Sequence, residues 1–312
     1  MVAIPRFIPG DRVGNYEIVR EVGAHGGGVV YEAAHRVLPR RATLKVMHGI
    51  VPALAVQIMR EACILEALQH PGIVKVFESG VLADRRPWFA LELVPGEPLS
   101  TVLARGALRA VETVTLVKEL AEILEHAHRR GVIHHGLRPD RVMLSDRRLC
   151  IVDWSEARAH DASNQIPHIP SPAARVYVAP EVARGDITDD RADVYALGVI
   201  AYQALTGALP TPSAHIPAAQ RCRNAPPELT TLIEQMLAPD RFDRPTAAEV
   251  RGELAWLASI LEAAPAEHVE LVDTDGVAEA PSPRLRKPRW TPPISYVASD
   301  LAVLVSGEIE LD

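Results

Sequence analysis

The spacing of apolar residues changes at Pro95-Gly96, and that change constrains the fold more than any other feature of the chain. Before it, short β-branched and aromatic runs flank a glycine cluster. Tyr16-Glu17-Ile18-Val19, then Gly23 to Gly28, then Val29-Val30-Tyr31 read as a hairpin. Ala42 to Val46, Ile73 to Phe77 and Trp88 to Val94 are further strand-like runs. A helical pattern interrupts them from Ala53 to Gln69, with Leu54, Ile58, Ala62, Leu65 and Leu68 on one face and His70-Pro71-Gly72 as the stop. After Pro95-Gly96 the period is helical. Val114, Val117, Leu120, Ala121, Leu124 and Ala127 share a stripe that Gly131 terminates, and Val194–Thr206, Leu229–Leu237 and Ala247–Leu257 follow. Residues 161–180 carry four prolines and little periodicity, which predicts a loop. The pattern is a mostly β unit with one helix, followed by a larger helical unit.

Composition narrows the classes. A chain of 312 residues that is 48% hydrophobic and 23% charged is ordinary globular material. No apolar run approaches the ~18 residues of a membrane span, and the first ten residues lack the apolar core of a signal peptide. Cys63, Cys150 and Cys222 are odd in number and widely spaced, which argues against a disulfide framework or zinc site and for a reducing cytoplasm. A net charge of −7 does not favour a nucleic-acid surface. Pro281 to Pro293 is proline-rich and basic (Arg284, Arg286, Lys287, Arg289) and reads as a tether, with the apolar Tyr296–Val305 beyond it.

Several weak motifs fall into one order. The glycine hairpin Gly23-Ala24-His25-Gly26-Gly27-Gly28-Val29-Val30 is followed by Lys45 on a strand and Glu61 on the next helix. His134-His135-Gly136-Leu137-Arg138-Pro139-Asp140-Arg141, Asp153-Trp154-Ser155, Ala179-Pro180-Glu181, Asp193 and Arg244-Pro245 come after. In this order the sequence resembles a Hanks-type protein kinase of the bacterial serine/threonine branch, over about residues 16–260. The resemblance implies an α+β, bilobal protein-kinase-like fold. Its parts would be an extension over residues 1–15, an N-lobe over 16–95, a C-lobe over 96–262, and a linker and tail over 263–312.

The resemblance also implies a nucleotide cleft. Gly23, His25, Gly26 and Gly28 would cover the phosphates, with His25 where the family places its second glycine. Lys45 would meet the α/β-phosphates, oriented by Glu61. Thr43 stands at a small-residue position beside the base. Leu91, Glu92, Leu93 and Val94 match the hinge, and Val30 and Met143 are expected above and below the base. Asp153 keeps one metal-ligating carboxylate, Glu181 and Arg244 match a buried ion pair, and Asp193 matches the anchor of the catalytic loop.

The reaction residues depart from the pattern. Leu137 and Pro139 fix the register, so Gly136 stands where the family has its catalytic aspartate and Arg141 where it has a metal-binding asparagine. Glycine offers no base, and a guanidinium ligates no cation. His135 replaces the arginine that clamps a phosphorylated segment, Arg138 replaces a lysine near the γ-phosphate, and Trp154-Ser155 replaces Phe-Gly. Arg141 is expected either to reach Asp153 or a phosphate, or to swing to solvent. The segment from Asp153 to Glu181 has no threonine. Ala174 stands at the usual phosphorylation position, leaving Ser163 and Ser171.

The expectation is a cytoplasmic pseudokinase without phosphoryl transfer. It would bind ATP weakly or not at all, with Mg2+ disfavoured. It would act through conformation or by docking a protein partner, such as an active kinase or signalling protein. The alternatives are an atypical serine/threonine kinase working through Asp153 and Arg138, with Asp140, His134 or His135 as a substitute base, or nucleotidyl transfer in the same cleft.

Overall fold

The computed structural model describes residues 6–25, 27–47, 52–146, 148–159, 172–211 and 215–263. Gly26, Ser163, Ser171 and the tail from residue 264 lie outside the described residues. The first lobe holds β1 (Arg12–Val13), β2 (Tyr16–His25), β3 (Gly28–His35), β4 (Arg41–Met47), α1 (Pro52–Leu68), β5 (Val76–Val81) and β6 (Pro87–Glu92). The second holds β7 (Glu97–Pro98), α2 (Leu99–Leu103), α3 (Ala110–His128), β8 (Val132–Ile133), β9 (Val142–Leu144), β10 (Leu149–Ile151) and β11 (Arg158–Ala159). It continues with α4 (Pro180–Arg184), α5 (Arg191–Thr206), α6 (Ala218–Arg221), α7 (Pro227–Met236) and α8 (Ala247–Ala263). This is the expected α+β, two-lobed kinase fold.

The N-lobe strands form one antiparallel sheet in the order β1-β2-β3-β4-β6-β5. Alternation sets its faces: Ile18, Val29, Tyr31, Leu44, Val46 and Trp88 are buried in one apolar cluster. Register places the site residues. Lys45 pairs with Val30 on one side and Phe89 on the other, so it stands at mid-sheet. Gly28 is needed for packing, because a side-chain carbon there would stand 2.8 Å from the Val46 carbonyl oxygen.

One strand differs from the sequence reading. Ile73 to Phe77 was expected to be extended throughout, whereas β5 begins at Val76. Ile73 and Val74 are buried and turn instead to the second lobe. Ile73 bridges Ile151 in parallel, and the Ile151 N–H donates to the Gly72 carbonyl at 2.9 Å. β-branched residues that join two lobes carry the same composition as a strand.

In the second lobe α3 buries the predicted stripe, Val114, Val117, Leu120, Ala121, Leu124 and Ala127. α5 is buried nearly all round and ends at Gly207 with φ of 71°. α8 runs to Ala263, beyond the Leu257 at which its pattern fades in the sequence. No helix among the described residues is long and apolar enough to cross a membrane.

Candidate functional site

A cavity of about 440 Å³ opens between the sheet and the second lobe. Val30, Thr43, Lys45, Glu61, Leu91, Glu92, Leu93, Val94, Met143 and Asp153 line it, all of them expected there, and Arg141, for which two placements were open, joins them. Gly23, Gly28, Gly136 and Arg138 do not. Gly23 and His25 are paired within the β2–β3 ladder, opposite Val30 and Gly28. Arg20 and Glu32, which the sequence reading did not single out, also line the mouth and are ion-paired at 2.7 Å.

Beneath the cavity a chain of buried charges crosses from lobe to lobe. Lys45 Nζ donates to Glu61 Oε2 at 2.8 Å and lies 3.7 Å from Asp153 Oδ1. Arg141 Nε lies 3.1 Å from Asp153 Oδ2, and its terminal nitrogens donate to Glu156 Oε1 at 2.5 Å and to the Gly136 carbonyl at 2.9 Å. Of the two expectations for Arg141 the structure shows the inward one: the residue is 5% exposed and holds two carboxylates. Burial alone would lower the Arg141 pKa, but Asp153 and Glu156 outweigh it and raise it. Burial would raise the Asp153 pKa, yet Lys45, then Arg141 and Ser155, hold it well below the usual carboxylate range.

The catalytic-loop backbone is fixed from below. Asp193, at the start of α5, accepts from the His134 N–H at 2.7 Å, the His135 N–H at 2.8 Å and His128 Nε2 at 2.9 Å. Burial pushes up the Asp193 pKa, but its bond to His128 and the nearby histidines outweigh this and hold it at about 2. His135 adopts φ of 58°, a left-handed conformation held in place by this anchor. His134 is fully buried. Desolvation lowers its pKa to about 4, and its Nδ1 accepts the Gly136 N–H at 3.1 Å. With that lone pair occupied and Nε2 carrying the proton, His134 has no site left to take a proton from a substrate. Asp140 is exposed at the cavity rim and tied to Arg138 at 2.8 Å.

The place of the missing aspartate is filled. A side-chain carbon built on Gly136 would collide with the Arg141 guanidinium and stand 2.9 Å from Glu156 Oε2. Glu156 is the functional residue that sequence reasoning missed. It lies three positions after Asp153 in a stretch that reads as a charged loop, and only its contact across the site with Arg141 gives it meaning.

The two oxygens of Asp153, the carboxylate that the resemblance assigns to a metal, already face Lys45 and Arg141. Trp154 is fully buried, with its ring 4.6 Å from that of His134 and its N–H donating to the Ile151 carbonyl at 3.3 Å. Glu181 and Arg244 form the expected buried pair through two bonds of 2.7 and 2.8 Å.

Comparison with known proteins agrees with this geometry. The protein kinase domain family matches residues 16–254. The serine/threonine-protein kinase Pkn1 of Myxococcus xanthus is 35% identical over 219 residues, 64% of this chain and 30% of that protein. PknJ of Mycobacterium tuberculosis is 34% identical over 203 residues, 62% of this chain and 34% of that protein. The chain thus spans about a third of the length of these curated relatives. The crystal structure of the Mycobacterium tuberculosis PknI kinase domain is similar with a TM-score of 0.63 at 26% identity, covering 81% of this chain and 99% of that one. With the ordered motifs, the two-lobed fold and the family match in agreement, the chain belongs to the protein kinase domain family.

Proposed function

We propose that this kinase-like domain is catalytically impaired, takes adenine nucleotide weakly or not at all, and signals through its conformation or by docking a protein partner. One observation carries the reading: Gly136 leaves no side chain beside an incoming hydroxyl, and the Arg141 guanidinium is packed against it. Phosphoryl transfer rests on a positioned carboxylate and on cations that neutralise the phosphates. Here the cation is Arg141, part of the chain itself. Cleft binding, if present, therefore draws on Lys45 and the apolar lining, without an added divalent ion. The reducing cytoplasm is the proposed compartment, from the three unpaired cysteines.

A second reading has an observation of its own. Glu156 brings a carboxylate into the place of the absent aspartate, which favours a slow, atypical serine/threonine kinase with Glu156 as its base. Labelled ATP with Mg2+ or Mn2+ separates the two. The impaired reading expects incorporation at background in the wild-type chain and in Lys45→Ala, Asp153→Ala and Glu156→Gln alike. Incorporation that all three substitutions abolish overturns it in favour of the atypical kinase. A thermal-shift titration with ATP is expected to give the same small shift with EDTA as with Mg2+; a shift that requires metal counts against Arg141 as the resident cation.

A further inference from the structure

A groove of about 390 Å³ lies on the second lobe, between α7 and α8. Leu232, Leu254 and Leu257 floor it, and Trp256, 55% exposed, forms one wall. Ile260, one turn beyond Trp256 on α8, is 44% exposed and extends the apolar strip. Large apolar side chains left open at a groove mark a binding face more often than a scattered surface leucine does. The rim carries Glu228 and Glu253, both exposed and neither ion-paired among the described residues, and no Lys or Arg lines the groove.

The chain holds a segment of complementary chemistry. Residues 281–293 carry Arg284, Arg286, Lys287 and Arg289 with no acidic residue, and set Leu285 and Trp290 among them. The preceding residues 264–280 carry Glu267, Glu270, Asp273, Asp275 and Glu279, the same sign as the groove rim. Reach permits the contact. α8 ends at Ala263, so Trp256 lies about 10 Å back along its axis. Residues 264–283 span at most about 70 Å when extended, well over the ~25 Å length of α8.

We propose that the α7–α8 groove is the docking site of the chain's own residues 284–290. Trp290 and Leu285 enter beside Trp256, and the basic side chains face Glu228 and Glu253. Linkage makes the contact intramolecular, at an effective concentration in the millimolar range, so modest complementarity suffices. A partner that uses this face must displace the tail, whatever the state of the nucleotide cleft.

Hydroxyl-radical footprinting of the full chain at low salt tests this through oxidation of Trp256. Wild type is expected to label roughly fivefold more slowly than a chain with Arg284, Arg286, Lys287 and Arg289 all changed to Ser, a difference that salt screening erodes. Those substitutions touch no contact of the described fold. Glu228→Lys with Glu253→Lys should lose the protection, and combining them with Glu at the four tail positions should restore it. Equal labelling of wild type and the Ser variant overturns the proposal. Protection that rises with protein concentration, with dimers seen by light scattering, also overturns it in favour of a second copy's tail.

Discussion

Truncating Arg141 to alanine would strip Asp153 and Glu156 of their shared cation inside the protein. Removing one partner of a buried ion pair costs about 3–5 kcal/mol, because the other charge stays desolvated. Denaturant unfolding of Arg141→Ala should show a loss at the low end of that range, since Lys45 still faces Asp153. Glu156→Gln in the same chain should recover about 1–2 kcal/mol, the signature of coupled neighbours. An additive pair would mean that Glu156 makes no use of Arg141. Gly136→Asp alone is expected to displace the guanidinium without restoring transfer, while Gly136→Asp with Arg141→Asn should create Mn2+-dependent thermal stabilisation that the parent lacks. Gly136 and Arg141 were legible because Leu137 and Pro139 fix the register of a known pattern. Glu156 was not, because an acidic residue among loop charges has no periodicity to betray it, and its partner lies fifteen positions earlier.

Two elements contribute to the acid sensitivity of the fold: the loop around His134 and the first turn of α5 that bears Asp193. His134 titrates at about 4 when folded and near 6.5 when free, so the unfolded chain binds the extra proton between those values. Stability should therefore fall as pH drops from about 6.5 toward 4, by up to about 3 kcal/mol for this one group. His134→Asn should make that limb of the pH profile shallower, leaving the share of His70, whose pKa burial also lowers to about 4. Asp193 is depressed to about 2, so its contribution persists above the ordinary carboxylate pKa and is lost as pH falls from about 4 toward 2. Asp193→Asn should lower stability at neutral pH and remove that second loss. Elements were the easiest part to read from sequence where periodicity ran long, as in α3 and α5, and the hardest where lobe contacts and strand contacts demand the same residues, as at Ile73 and Val74.

At the scale of the whole molecule, the lobes are joined by charge as well as by the Ile73–Ile151 bridge. Arg148, beside β10, donates to the Pro71 carbonyl at 2.7 Å and pairs with Glu92, at the end of β6, at 2.6 Å. Arg148→Ala removes the cation from Glu92 Oε1, while the other oxygen, Oε2, is already buried without a hydrogen bond, a cost of about 1–3 kcal/mol. The expected readout is a fall in Tm of roughly 2–6 °C, and an unchanged Tm would show that the pair is idle. The two-lobed architecture was visible in the switch of apolar period at Pro95-Gly96, but these ties were not, since each joins residues tens of positions apart.

The indole of Trp154 has one more implication. Rotating it out of the interior would empty a cavity the size of an aromatic ring, which in other cores costs about 3–5 kcal/mol. Conformers with that space vacated would then make up less than about one molecule in a hundred. Ligands that need the space this ring fills would be selecting against the energy of the fold, whereas compounds shaped to the open mouth of the cleft meet a surface already in place.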